Sequence, residues 1–364
     1  MKINLVLTLA CSVTLWLVAC SDGPSDFDND AEVAGSVTGG SATGGSTAAG
    51  AATGGSAPAS PTPVKSAQGP KLYVGLFGDN AVAVVDTATN EVLGTIAVPT
   101  GPHGLVITPD GAKVYVSSDG ASTVSVIDTA TDKIATSIEV GMTPHGLTIS
   151  EDGTRLLLSD FGGNFAEIID TATDKLLRSA EVDRPHNSAI SPDGKLGFEA
   201  SQAADTPAIV IVDLDAGQVL GSVPLEHAPR ALDYAPDDHV YFTMSGVDAL
   251  EVLDPATKML GTPIDTGGSP HHMLATKDGE YELVVAQTIG ALQFVELKSQ
   301  SVVASVPTGT APHWLTLSTD GKLAYVSDEG SNDVAIVDIA ARKVVQTIAV
   351  GKAPRKLAVQ PSRP

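Results

Sequence analysis

The chain has 364 residues, and 43 Asp and Glu against 21 Lys and Arg give it a net charge of −22. That balance lacks the basic footprint of nucleic-acid binders, so no nucleic-acid partner is expected. The two cysteines, Cys11 and Cys20, both fall in the first twenty residues. Beyond them there is no thiol or disulfide, and stability has to come from apolar burial.

Lys2 precedes an apolar run from Ile3 to Val18, and small residues lead to a cysteine at Leu17-Val18-Ala19-Cys20. This is the layout of a secretory signal segment, and the run is short for a membrane span of about 20 residues. The closing Leu-Val-Ala-Cys resembles the lipobox of bacterial lipoproteins. The resemblance implies cleavage after Ala19 and acylation of Cys20, so that acyl chains in the lipid bilayer become the anchor. Ser21, rather than Asp, at the next position implies sorting to the outer membrane. Residues 1–19 are therefore expected to be removed and residues 20–70 to form a disordered tether. The Gly/Ser/Ala/Thr/Pro composition of that tether offers too little apolar surface to offset ordering, and its reach is about 40 Å.

From residue 71 to 364 the sequence repeats itself. Gly101-Pro-His-Gly-Leu-Val-Ile-Thr-Pro-Asp-Gly111 returns from Thr143, from Pro185 and from Pro312, with weaker copies at Pro229, Pro270 and Pro354. The residue after each proline falls at 103, 145, 186, 230, 271, 313 and 355, a spacing of 41 to 44 residues. Such a period suits a four-stranded propeller blade. In the first copy the strands read as His103–Thr108, Lys113–Ser117, Thr123–Asp128 and Lys133–Val140, separated by Pro-Asp-Gly and similar turns. Leu72–Val98 supplies only three strands, and the C-terminus only one, Arg355–Gln360. The two remnants complete one blade. The expected fold is all-β: a seven-bladed β-propeller whose ring is closed by the C-terminal strand pairing with the N-terminal strands.

Lys113-Val-Tyr-Val-Ser-Ser and Leu323-Ala-Tyr-Val-Ser-Asp, each followed by a Val-rich strand ending in Asp, resemble the YVTN family of β-propeller repeats. The resemblance implies the fold over residues 71–360 but selects no activity. The family includes surface-layer, binding and redox-associated proteins, and propellers also serve as lactonases, haem domains and copper-site scaffolds.

The residues after the prolines should ring one mouth of the central channel: His103, His145, His186, Arg230, His271, His313 and Arg355. Hairpin register places Ser118 beside His103, Asp160 beside His145 and Asp328 beside His313, the two aspartates as carboxylates standing behind imidazoles. Three readings stay open. Pro-x-Gly is how each inner strand begins, with proline fixing φ and glycine allowing close approach. Alternatively, His103, His145 and His186 bind a transition metal, or Arg230 and Arg355 among imidazoles bind a small anionic ligand. No cofactor is required for folding. Asp86, Asp128, Asp170, Asp213, Asp254 and Asp338 recur at strand ends as turn caps. His227 and His239 read as loop residues, and His272 as part of the blade wall or turned to solvent. The expected function is a membrane-anchored module of the cell envelope that binds a ligand or partner protein at the hub. The alternative is a metal- or cofactor-dependent enzyme or redox accessory protein.

Overall fold

In the computed structural model the described residues are 61–361. The expected signal segment, Cys20 and most of the expected tether lie outside them. Among the described residues there are no helices. Seven antiparallel sheets follow one another around an axis, as the repeats imply.

The local chemistry of one blade explains all of them. In blade 1, Pro102–Ile107, Lys113–Ser118, Thr123–Asp128 and Lys133–Glu139 run from the axis outward. The turn between the first two is closed by the Gly111 amide donating to the Thr108 carbonyl at 2.8 Å, with Gly111 at φ 67°. A positive φ there favours glycine. The turn after the third strand is capped by the Asp128 carboxylate, which accepts from the Ala130 amide at 2.7 Å. The same cap recurs at Asp86, Asp170, Asp213, Asp254 and Asp338.

The ring closes as expected. Pro354–Val359 pairs with Lys71–Leu76 in register Leu72↔Val359, Tyr73↔Ala358 and Val74↔Leu357, and this sheet continues through Ala81–Asp86 and Glu91–Ala97 as blade 7. Its two faces pack into separate clusters: Leu72 and Val74 with Tyr325 and Ile336 of blade 6, Tyr73 and Val84 with Val114 and Val116 of blade 1. Polar latches join some blades. The Tyr73 hydroxyl and the Lys71 ammonium both reach Asp132 of blade 1, at 2.7 and 2.6 Å, and Tyr115 and Lys113 reach Asp174 of blade 2 in the same way.

Two departures from the repeat have local causes. In blade 4 the outer strand is broken into Met259–Leu260 and Ile264–Asp265, both on Ala249–Asp254. Pro263 lies in the break, where it has no amide to give to a ladder. The ordered body also starts before residue 71. The Thr95 amide donates to the Thr62 carbonyl, the Lys65 amide donates to the Leu93 carbonyl, and Val64 and Ala67 pack on the core of blade 7. Residues 62–67 thus cover the outer edge of that blade rather than continuing the tether.

Candidate functional site

Each inner strand begins with an irregularity that decides where its side chains point. The first and second strands pair at Pro102↔Ser118 and resume at Leu105↔Val116, so His103 and Gly104 occupy a bulge. The same shift occurs at Pro144/Leu147, Pro185/Ser188, Pro229/Leu232, Pro270/Met273 and Pro312/Trp314. Bulges re-aim side chains, and here they turn the residue after each proline inward. His103, His145, His186, Arg230, His271 and His313 are all at least 95 % buried, and the Arg355 side chain is 11 % exposed.

The imidazoles lie against one another. Ring centroids are 3.5 Å apart for His103–His145, 4.2 Å for His145–His186 and 4.3 Å for His271–His313, while His103 and His313 face each other at 6.0 Å. Three of them share one bond: Nδ1 of His145, His186 and His271 meets the backbone carbonyl of the next ring residue at 2.8, 2.9 and 3.0 Å. A carbonyl only accepts, so each Nδ1 carries the hydrogen and Nε2 keeps its lone pair in the neutral ring. His103 is different. Neither of its ring nitrogens has a hydrogen-bond partner among the described residues, although it is 98 % buried. Burial, with the neighbouring His145 and Arg355, holds its pKa well below the usual imidazole range, so it is neutral at pH 7.

A second set of residues joins the ring, and the sequence reading missed it. The residue just past each second strand donates its amide to the carbonyl two positions before the ring residue. Asp119 bonds Gly101 in this way, Phe161 bonds Thr143, Glu329 bonds Ala311, and Phe77 bonds Ala353. That brings these side chains to the mouth. The Arg355 guanidinium lies 3.8 Å from the Phe77 ring centroid and its Nε is 3.2 Å from Glu329 Oε1. Glu329 Oε2 is also 3.8 Å from His313 Nε2, and Arg230 Nε donates to the Ser245 hydroxyl at 2.9 Å. Asp119 completes a group with His103 and His145 in which one ligand-capable atom from each lies within 4.8 Å of the others.

Of the trio His103, His145 and His186 expected as metal ligands, the first two lie at ligand spacing with Asp119, and His186 is outside that group. The His186 ring centroid is 6.3 Å from that of His103 and its Nδ1 is bound to the Arg230 carbonyl. Its own carbonyl instead orients His145. The carboxylates expected behind imidazoles are also elsewhere. The bulge sets Asp160 opposite Pro144, and Asp328 opposite Pro312. Asp160 accepts from the Gly163 amide and Asp328 from the Thr308 hydroxyl. Burial raises their pKa values to about 6 and about 7. His227 is exposed and His239 bonds to Asp237, both away from the ring.

One residue further along each inner strand, a second layer crosses the axis. His272 stacks on Trp314 at 3.4 Å, and the Lys356 ammonium sits 4.2 Å from the Trp314 ring centroid and donates to the Leu147 carbonyl at 2.9 Å. The corresponding residues of blades 1 and 2 are Gly104 and Gly146, where backbone and polar atoms already lie under 3 Å from where a Cβ would sit. Beyond this arch is a cavity of about 380 Å³ lined by the inner strands of all seven blades.

Comparison with solved structures gives the same fold. Kuenenia stuttgartiensis hydrazine synthase matches at 24% identity with a TM-score of 0.69, covering 74% of this chain and 92% of that one. A functionally unknown protein from Desulfotomaculum acetoxidans matches at 16% identity and TM-score 0.69, with 80% and 99% covered. A putative 6-phosphogluconolactonase from Bacteroides uniformis matches at 19% identity and TM-score 0.64, with 80% and 99% covered. At these identities the likeness speaks for fold alone. A search of curated proteins finds no match. The repeats, the closed ring and the match of residues 67–155 and 193–361 agree: the chain belongs to the YNCE-like beta-propeller family.

Proposed function

We propose that this protein is a membrane-anchored binding module of the cell envelope, tethered through acylated Cys20, whose hub mouth takes a divalent transition-metal ion. His103, His145 and Asp119 are the ligands. The observation that carries this reading is the His103 ring: a neutral imidazole, 98 % buried and without a hydrogen bond, set beside His145 and Asp119 at ligand spacing. Leaving a buried polar group unpaired costs roughly 1–3 kcal/mol, which a bound ion would recover. Imidazole and carboxylate together suit Zn(II), Cu(II) or Ni(II), and the His145–His186 bond is the support that ligating histidines need.

Other features favour metal over an anion. The Arg355 charge is met by Glu329 and its plane rests on Phe77, so it neither repels a cation strongly nor reaches for an anion. The touching imidazoles leave little room for a substrate at the mouth, which favours binding over catalysis. Calorimetry on protein purified without chelator or histidine tag tests the reading. One ion per chain should bind, and His103→Ala should abolish it. Unchanged heats in that variant would overturn the assignment. For the anchor, a Cys20→Ala chain with a general secretory signal should be released as soluble protein, and its persistence in washed membranes would overturn acylation there.

A further inference from the structure

The cavity beyond the arch is separate from the hub ring in position and in chemistry. Its volume of about 380 Å³ lies within the range of small-ligand pockets, roughly 300–1,000 Å³. Leu105, Leu147, Leu232 and Leu315 contribute apolar wall, and Trp314, His272 and Lys356 form its ceiling. Val106, Ile107, Thr148 and Thr316 around it are only half-buried, so solvent reaches in from the side away from the imidazoles.

Lys356 is the anomaly. The side chain belongs to a residue 3 % exposed, and among the described residues its ammonium has one hydrogen bond, to the Leu147 carbonyl. Burying an ammonium without an opposite charge is costly, and burial draws its pKa down to about 7. The acid nearest to it electrostatically is Glu199, itself fully buried; burial raises its pKa while the attraction of Lys356 lowers it. Glu199 is also engaged by the Ser159 hydroxyl at 2.7 Å. Asp233, the acid in the cavity wall, accepts from the Ala275 amide at 2.8 Å, and Glu151 is an exposed residue at the rim. Hence a buried amine with a single hydrogen bond stands over an indole at the end of a pocket walled by leucines.

We propose that this axial cavity is a second ligand site, for a small monocarboxylate: its carboxylate pairs with Lys356 and its apolar body lies along Trp314 and the leucine wall. An amine facing an apolar tube selects one negative group on a hydrocarbon or aromatic body. The aromatic ceiling offers a flat surface to either body, while the cation sets which end enters first. The site does not depend on the metal reading, because no residue is shared with His103, His145 or Asp119.

The tryptophans are Trp16 and Trp314, so a chain beginning at Ser21 keeps every described residue and Trp314 as its single tryptophan, which excitation at the red edge of the indole band addresses apart from the tyrosines. Titration with octanoate should change the Trp314 emission saturably. The neutral analogue octanamide should bind at least tenfold more weakly, since it lacks the charge that Lys356 answers. Lys356→Met, which keeps length and apolar bulk, should lose the octanoate response by a similar factor. Val106→Phe, which fills the cavity without touching the amine, should also lose it. Cooperative thermal unfolding followed by circular dichroism in both variants reports that the propeller is intact, whether or not the hub binds metal. The site is overturned if octanoate gives no saturable change, if octanamide binds equally well, or if either variant binds octanoate like the parent.

Discussion

His145 donates its Nδ1 hydrogen to the backbone carbonyl of His186, 2.8 Å away, which leaves Nε2 as the ring's acceptor atom. The donor needs the carbonyl of residue 186, not its imidazole. His186→Ala should therefore retain metal affinity within a few-fold. Asp119→Asn should lose roughly tenfold or more, since a ligating carboxylate becomes a weaker neutral donor. Parallel calorimetric titrations with Zn(II) check the pair. Equal losses in both variants would return His186 to the ligand set.

Asp328 should make stability depend on pH. Its folded pKa is raised to about 7 by burial, above the ordinary value near 3.9. Its proton therefore favours the folded state, and that contribution is fully present below the unfolded pKa and lost as pH rises through 7. Asp328→Asn carries no charge to bury and should gain on the parent by a few kcal/mol between pH 5 and pH 8. Melting curves at the two pH values read this as a difference in Tm that widens upward. A constant difference would place the carboxyl in a more solvated setting.

Lys356→Met should raise the melting temperature. The parent buries an amine whose charged form burial disfavours, and replacing buried charge by apolar volume is often stabilising by about 1–4 kcal/mol. A lower Tm in the variant would mean that the Leu147 bond and the Trp314 face already compensate the charge.

Removal of residues 354–364 should abolish cooperative unfolding, because Leu72 and Val74 lose their inner partner and an unpaired sheet edge is exposed. Leu357→Ala is the milder test. It truncates a side chain 97 % buried between blades 6 and 7, at an expected cost of about 2–5 kcal/mol. Denaturant melts of both forms, with light scattering for the truncation, check the closure.

The segment before residue 71 should contribute as an edge cover. The Thr95 amide is expected to be protected from hydrogen exchange by the Thr62 carbonyl. A chain starting at residue 68 should exchange there much faster, with a stability loss of roughly 1–2 kcal/mol. Unaltered protection would show that the outer strand of blade 7 holds without it.

The blades and their closure were legible because the same turn chemistry recurs in every unit: Pro-Asp-Gly at one end, a capping aspartate at the other. Two complementary remnants at the ends of the repeat region then leave one way to finish the ring. The site was less legible. A bulge adds residues to one strand without any residue type that announces it, so regular register put Asp160 beside His145 when it faces Pro144. Asp119 follows a strand end, where its type alone signals only a turn. The signal was available as spacing: Asp119, Phe161 and Glu329 each stand sixteen positions after His103, His145 and His313. Residues 62–67 carry just one large apolar side chain, Val64, and their order comes from backbone bonds that composition does not report.

The bulge repeated at the start of the inner strands has an evolutionary consequence. It fixes the direction of seven side chains by backbone geometry, independently of what those side chains are. A substitution at any one of them changes the chemistry of the mouth without altering strand pairing, and a substitution one residue later changes the arch instead. Duplicated blades on such a frame can diverge one position at a time: two units keep glycine where the neighbouring strand packs too close for a side chain, and three others carry histidine, tryptophan and lysine at the same position. The ring and the arch are in effect two independently editable lists of seven side chains, written on one invariant scaffold.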